Sequence, residues 1–169
     1  VDNLSSITPG ALKGGLNRVV RHPLQDHIFV GGSDGVPQIY RMKRETVRKI
    51  GDNANLIRRY PAMPGRIWDG AFAPDGKSFV AVSSLNGSGR IDFFASDYDA
   101  TLTPELKKLF ETARKNNDPK LIEFQTKGAV RLHEYAVDSA VFSVAFSPDG
   151  KTVVAGTADG RLLFLHPDT

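Results

Sequence analysis

Cysteine is absent from the 169 residues. That excludes disulfides, thiolate metal sites and a C-x-x-C-H haem attachment within this segment, and it leaves the compartment open. No apolar run approaches the roughly 18 residues that span a bilayer. Neither sign of charge is in large excess. The 22 basic and 19 acidic side chains leave +3, too little to argue for nucleic acid by itself. No Walker or H-E-x-x-H pattern occurs; Gly31-Gly32-Ser33-Asp34-Gly35 has the letters of G-x-S-x-G but falls at a hairpin turn, so none of the many serines reads as a nucleophile. The four histidines, His22, His27, His133 and His166, form no metal-ligand spacing and read as surface or strand residues. The chain has no signal-peptide pattern and does not open on methionine, so it reads as a segment of a longer protein. The remainder, 40% apolar and 24% charged, is a globular composition.

What the chain has is repetition. Phe142 to Pro167 reads as strand, turn, strand, turn, strand. Val144 and Phe146 alternate with small or polar neighbours, Pro148-Asp149-Gly150 turns the chain, Val153 and Val154 open a second run, and Ala158-Asp159-Gly160 turns it into Leu162 to Leu165. Ala71 to Ser78 matches Ala145 to Thr152 almost residue for residue, and Trp68 falls where Phe142 does. A weaker third copy runs from Leu16 to Arg41, with Arg21-His22-Pro23 for Phe146-Ser147-Pro148 and Ser33-Asp34-Gly35 for Ala158-Asp159-Gly160. Repeats of this kind predict an all-β fold of successive four-stranded units.

In chain order, residues 1–9 read as the outer strand of a preceding unit and residues 10–50 as a first unit. Its strands are expected at Leu16–Val20, His27–Val30, Gln38–Met42 and Thr46–Ile50. Residues 51–66, rich in proline and glycine, read as a connector. A second unit spans 67–135, with strands at Ile67–Ala73, Ser78–Val82 and Arg90–Phe94. Its spacing from Pro74 to Pro148 is 74 residues, against about 40–45 for a WD40-type unit. The surplus lies in 97–129 and is helical in pattern. Thr103-Pro104-Glu105 starts a helix whose Leu106, Leu109, Phe110 and Ala113 share a face, and Leu121 to Phe124 offers a second. Val130, Leu132 and Tyr135 then resume the delayed outer strand. A third unit, 136–169, has three strands and no fourth.

These repeats resemble the WD40 family of β-propellers, carried by AFSPDGKTVVAGTADGRLLFL and its earlier copies. The family's usual histidine is replaced by Met63 and Val137, and its usual tryptophan by Tyr40, Phe94 and Leu165, while Asp34 and Asp159 keep the family's aspartate place. The resemblance implies three four-stranded propeller blades with a helical insertion, part of a larger ring. That ring is completed by further blades of a longer chain or by a second copy in a homodimer. The segments LSSITPGALKGGL, GGSDGVPQIYRM and GDNANLIRRYPAMPGRI are similar to large exported proteins of planctomycete-type bacteria, which join a c-type haem domain to a WD40 domain. That similarity implies a periplasmic or exported protein with a haem-domain neighbour.

The function expected is a non-catalytic interaction scaffold with no cofactor in this segment. The alternatives are an electron-transfer accessory that docks a c-type haem domain and a propeller enzyme holding a channel-bound metal or cofactor. From Arg41 to Arg66 eight basic residues face two acidic ones, Glu45 and Asp52. Within that stretch Arg58, Arg59, Tyr60 and Arg66, with Trp68 just beyond, are candidate contacts for an acidic protein partner. Nucleic acid is disfavoured, because aromatics are not interleaved with the charge. Asp34, Asp75, Asp149 and Asp159 read as turn-forming aspartates. The insert is expected either to cover a blade edge or to dock a partner.

Overall fold

The computed structural model describes residues 14–43, 45–46, 55–112 and 118–167. Eleven strands and two helices are present among them, arranged as three antiparallel sheets. The first contains β1 (Leu16–Arg21), β2 (His27–Gly32), β3 (Gln38–Arg41) and β4 (Leu56–Arg59), in that order. The second contains β5 (Arg66–Phe72), β6 (Ser78–Leu85), β7 (Ser88–Ala95) and β8 (Arg131–Val137). The third contains β9 (Val141–Phe146), β10 (Val153–Thr157) and β11 (Leu162–Leu165). Between β7 and β8 run α1 (Pro104–Thr112) and α2 (Pro119–Thr126).

Each sheet is a meander of neighbouring strands, and the sheets touch through their first strands: β1 packs on β5, and β5 on β9. This is the blade-like arrangement that the repeats predict. Its apolar layers lie between sheets. Phe29, Ile39, Ile57, Tyr60, Ile67, Phe79 and Phe94 join the first sheet to the second. Val80, Val82, Ile91, Phe93, Val141, Val144, Val153 and Ala155 join the second to the third. Alternation along β6 and β7 sends Phe79 and Phe94 to one layer and Val80 and Phe93 to the other. The second sheet is therefore buried on both faces. A fully buried phenylalanine contributes roughly 1.5–3 kcal/mol, and Phe29, Phe79, Phe93 and Phe94 are all at most 1% exposed. The described residues cover the third sheet on one side only; on the other, Leu162 and Phe164 are about two-thirds exposed.

The fourth strand of the first sheet differs from the expectation. Residues 47–50 of the expected strand lie outside the described residues, as do 1–9, while Leu56–Arg59, inside the stretch read as a connector, pairs with β3. The run Leu56-Ile57 is short and flanked by arginine, proline and glycine, so its composition conceals a strand that tertiary packing supports. β6 and β7 also run longer than expected. Asn86 (φ 51°) and Gly87 (φ 84°) form a two-residue turn of the primed type, which carries the ladder to Leu85 and Ser88.

The helical insert begins as its sequence indicates. Thr103 Oγ1 accepts from Leu106 N, Pro104 occupies the first helical position, and Asp118 Oδ1 accepts from Lys120 N at the start of α2. Leu102, Phe110 and Leu121 form its small core. α2 packs on β4, the outermost strand of the preceding sheet.

Candidate functional site

The start of β5 and the start of β9 form one surface. A register shift between Ile67 and Asp69 places a bulge at Trp68, and bulges re-aim side chains. Trp68 is half-buried and meets Phe142 of β9 edge to face, ring centroids 5.3 Å apart at 88°. The guanidinium of exposed Arg66 lies 5.3 Å above the Trp68 ring. Phe142 is 47% exposed. Arg66 and Trp68, both candidates from sequence, are thus brought together, and Phe142 joins them from the equivalent position of the next repeat. Such a cation–aromatic–aromatic cluster offers a flat apolar contact beside a positive charge. Below it, Asp69 joins all three sheets: its carboxylate takes Arg18 Nε of β1 at 2.7 Å and accepts from Val144 N of β9 at 3.0 Å.

Arg58 and Tyr60 require correction as surface contacts. Arg58 is 1% exposed. Its guanidinium lies between the rings of Tyr98, 4.6 Å away, and Phe124, 4.9 Å away. Nη1 donates to Ile57 O at 2.7 Å and Nη2 to Asp99 O at 2.6 Å, while Nε has no partner. Burial is the main cause that lowers its pKa. Tyr60 is 3% exposed, its hydroxyl donates to Ala95 O at 2.7 Å, and burial raises its pKa. The insert, remote in sequence, covers Arg58, and the second sheet covers Tyr60. Of Arg58-Arg59-Tyr60, only Arg59 reaches the surface.

Two cavities flank Tyr98. One, of about 350 Å³, is lined by Arg58, Tyr98, Leu106, Phe124 and Lys127 among others. The other, about 440 Å³, is lined by His27, Arg41, Glu45, Tyr98 and Lys107 among others. Arg41, also buried, pairs with Glu45 and donates from Nη2 to Ala100 O at 2.6 Å. Arg41 and Arg58 therefore hold two successive carbonyls of the segment that leads into the insert.

His22 and His27 are buried at 2% and 8% exposure, which corrects a surface assignment for His22. His22 Nδ1 accepts from Leu24 N and Gln25 N, so Nε2 carries the proton and donates to Gly76 O at 3.0 Å. His22 thereby fastens a turn of the first sheet to the Pro-Asp-Gly turn of the second. A side chain at Gly76 (φ 72°) would stand 2.5 Å from the His22 ring.

The four aspartates occupy turns. Asp34, Asp75 and Asp149 accept from backbone N–H groups two residues ahead, those of Val36, Lys77 and Lys151. Asp159 accepts from Thr157 Oγ1 and pairs with Arg161. A more deeply buried carboxylate, which the sequence did not single out, is Asp92. Arg90 Nε and Arg131 Nε lie 2.9 and 2.8 Å from its oxygens, and burial is the main cause that raises its pKa. It sits within β7 with no motif around it, and Arg131 reaches it from across the insert.

Among the described residues, no three His, Cys, Asp or Glu are grouped to hold a metal, and no helix is long and apolar enough to cross a membrane. Residues 129–164 match the model of the WD domain, G-beta repeat. The matched stretch spans β8, the last strand of the second sheet, and nearly all of the third sheet. It is thus offset by one strand from the third sheet, since it begins on the last strand of the second. No curated protein matches the chain.

Proposed function

We propose that this chain is a non-catalytic interaction scaffold whose contact surface is the Arg66–Trp68–Phe142 cluster. WD repeats generally mediate protein interactions and are generally non-catalytic. The observation that carries the reading is the cluster itself. Two aromatic rings from adjacent sheets and an arginine converge where β5 and β9 begin, and one ring is nearly half exposed. Tryptophan and arginine are the side chains on which interface energy concentrates. The partner chemistry that fits is a peptide segment with an acidic and an apolar side chain close together.

Selection from a displayed peptide library tests this. Enriched peptides carry an acid beside an apolar residue, and Trp68→Ala or Phe142→Ala weakens their binding at least tenfold with an unchanged melting temperature. Peptides that bind both variants as well as the parent overturn the surface, and a tightly held stoichiometric metal ion in purified protein overturns the scaffold reading. Arg59 and Arg66, both exposed, would also suit the haem-domain partner implied by resemblance. In that case Arg59→Glu with Arg66→Glu weakens docking of a c-type haem domain most strongly at low salt.

A further inference from the structure

We propose that the cavity between β4, the segment 97–103 and α2 binds a carboxylate carried on an apolar body, with Arg58 Nε and Tyr98 Oη as its donors. Three observations converge there. The Arg58 guanidinium is buried, yet among the described residues no carboxylate lies within ion-pair distance of it. Its two satisfied nitrogens donate to neutral carbonyls, which leaves most of its charge uncompensated. Arg58 Nε and Tyr98 Oη are both buried without a hydrogen-bond partner. They belong to stacked groups, the guanidinium carbon lying 4.6 Å from the Tyr98 ring centre. Buried donors left unmatched are costly, so each gains from an acceptor that reaches it.

The walls define the rest of the ligand. Phe124, Leu106 and the Tyr98 ring supply an apolar lining to a cavity of about 350 Å³, within the size range of small-molecule sites. Lys127, Asp97 and Asp99 also line it. These three are exposed, so solvent and salt screen them, while the field of buried Arg58 is little screened. Asp99 is further occupied by the N–H of Thr101 at 2.9 Å. The balance favours an anion over a cation or a neutral ligand. This site is separate from the Arg66–Trp68–Phe142 surface, and neither reading depends on the other.

The test uses the full chain, nitrogen-15 labelled, and follows the arginine Nε–H signals by NMR, with Arg58→Lys identifying the Arg58 signal by its loss. The probes are benzoate, its neutral isostere benzamide, and blocked Phe-Glu and Phe-Gln dipeptides. The expected result is a saturable downfield shift with benzoate or Phe-Glu, at least tenfold weaker binding of benzamide and Phe-Gln, and at least tenfold loss of acid binding in Tyr98→Phe. Tyr98→Phe keeps the ring against Arg58 and removes only an unbonded hydroxyl, so it tests the site even if Arg58→Lys fails to fold. Tighter binding of benzoate than of Phe-Glu assigns the site to a free organic acid, and the reverse order to an acidic side chain of a partner. No saturable shift with either acid, equal binding of the neutral isosteres, or unchanged affinity in Tyr98→Phe overturns the proposal.

Discussion

His22 uses both ring nitrogens, whereas His27 leaves Nδ1 buried and without a partner. The difference has a consequence in acid. Burial first, then the charges of Arg41 and His22, pull the His27 pKa down to about 4, with Asp26 opposing and Arg58 assisting weakly. The unfolded chain takes up a proton near pH 6.5 and the folded one only near 4. The contribution of His27 is therefore intact above about pH 6.5 and is lost as pH falls from there towards 4, by roughly 3 kcal/mol in all. Urea unfolding at pH 7.5 and 4.5 should show this loss, and His27→Phe should flatten it by a comparable amount. Equal pH dependence in the variant would mean that other groups carry the acid sensitivity. At this scale Trp68 was legible because a repeat partner, Phe142, marked its place. Arg58 was not: the groups that bury it, Asp99 and Phe124, lie far along the chain in an insert that no repeat anticipates.

Among elements, the joints between sheets are polar as well as apolar. Asn17 of β1 donates to Ile67 O, Ser84 of β6 exchanges hydrogen bonds with the backbone of Val141, and Asp69 reaches β1 and β9 at once. Asp69→Ala removes the shared acceptor, leaving the Val144 N–H and Arg18 without it. The expected cost is about 2 kcal/mol, read as a lower urea midpoint with an unchanged slope. A loss below about 0.5 kcal/mol would show that the apolar layers alone align the blades. None of these joints is visible in sequence: the hydrogen bonds go to backbone groups that every residue has, and the Asp69–Arg18 ion pair joins side chains of different repeats. The strands themselves were legible wherever Pro-Asp-Gly or Asp-Gly turns bounded them. β4 was missed because proline, glycine and arginine around it outweighed a two-residue apolar run.

Across the whole molecule, burial is graded. The second sheet has neighbours on both faces, and the third presents Leu162 and Phe164 to solvent. Amides of β6 and β7 should exchange with deuterium at least a hundredfold more slowly than those paired between β10 and β11. Equal protection would mean that the three sheets open only as one unit. The repeat announced this architecture in advance, but not the asymmetry between its faces. The insert adds a matter of timing. β6 and β7 meet across two residues, whereas 35 residues separate Ala95 from its continuation at Arg131. Closing the longer loop as free chain would cost about 2.5 kcal/mol more in entropy, and a nascent chain emerges with β4 and both helices ahead of β8. If α2 settles on β4 before β8 pairs, it shortens the stretch that remains to be searched, and the insert then serves as a splint that delivers the last strand of its own blade.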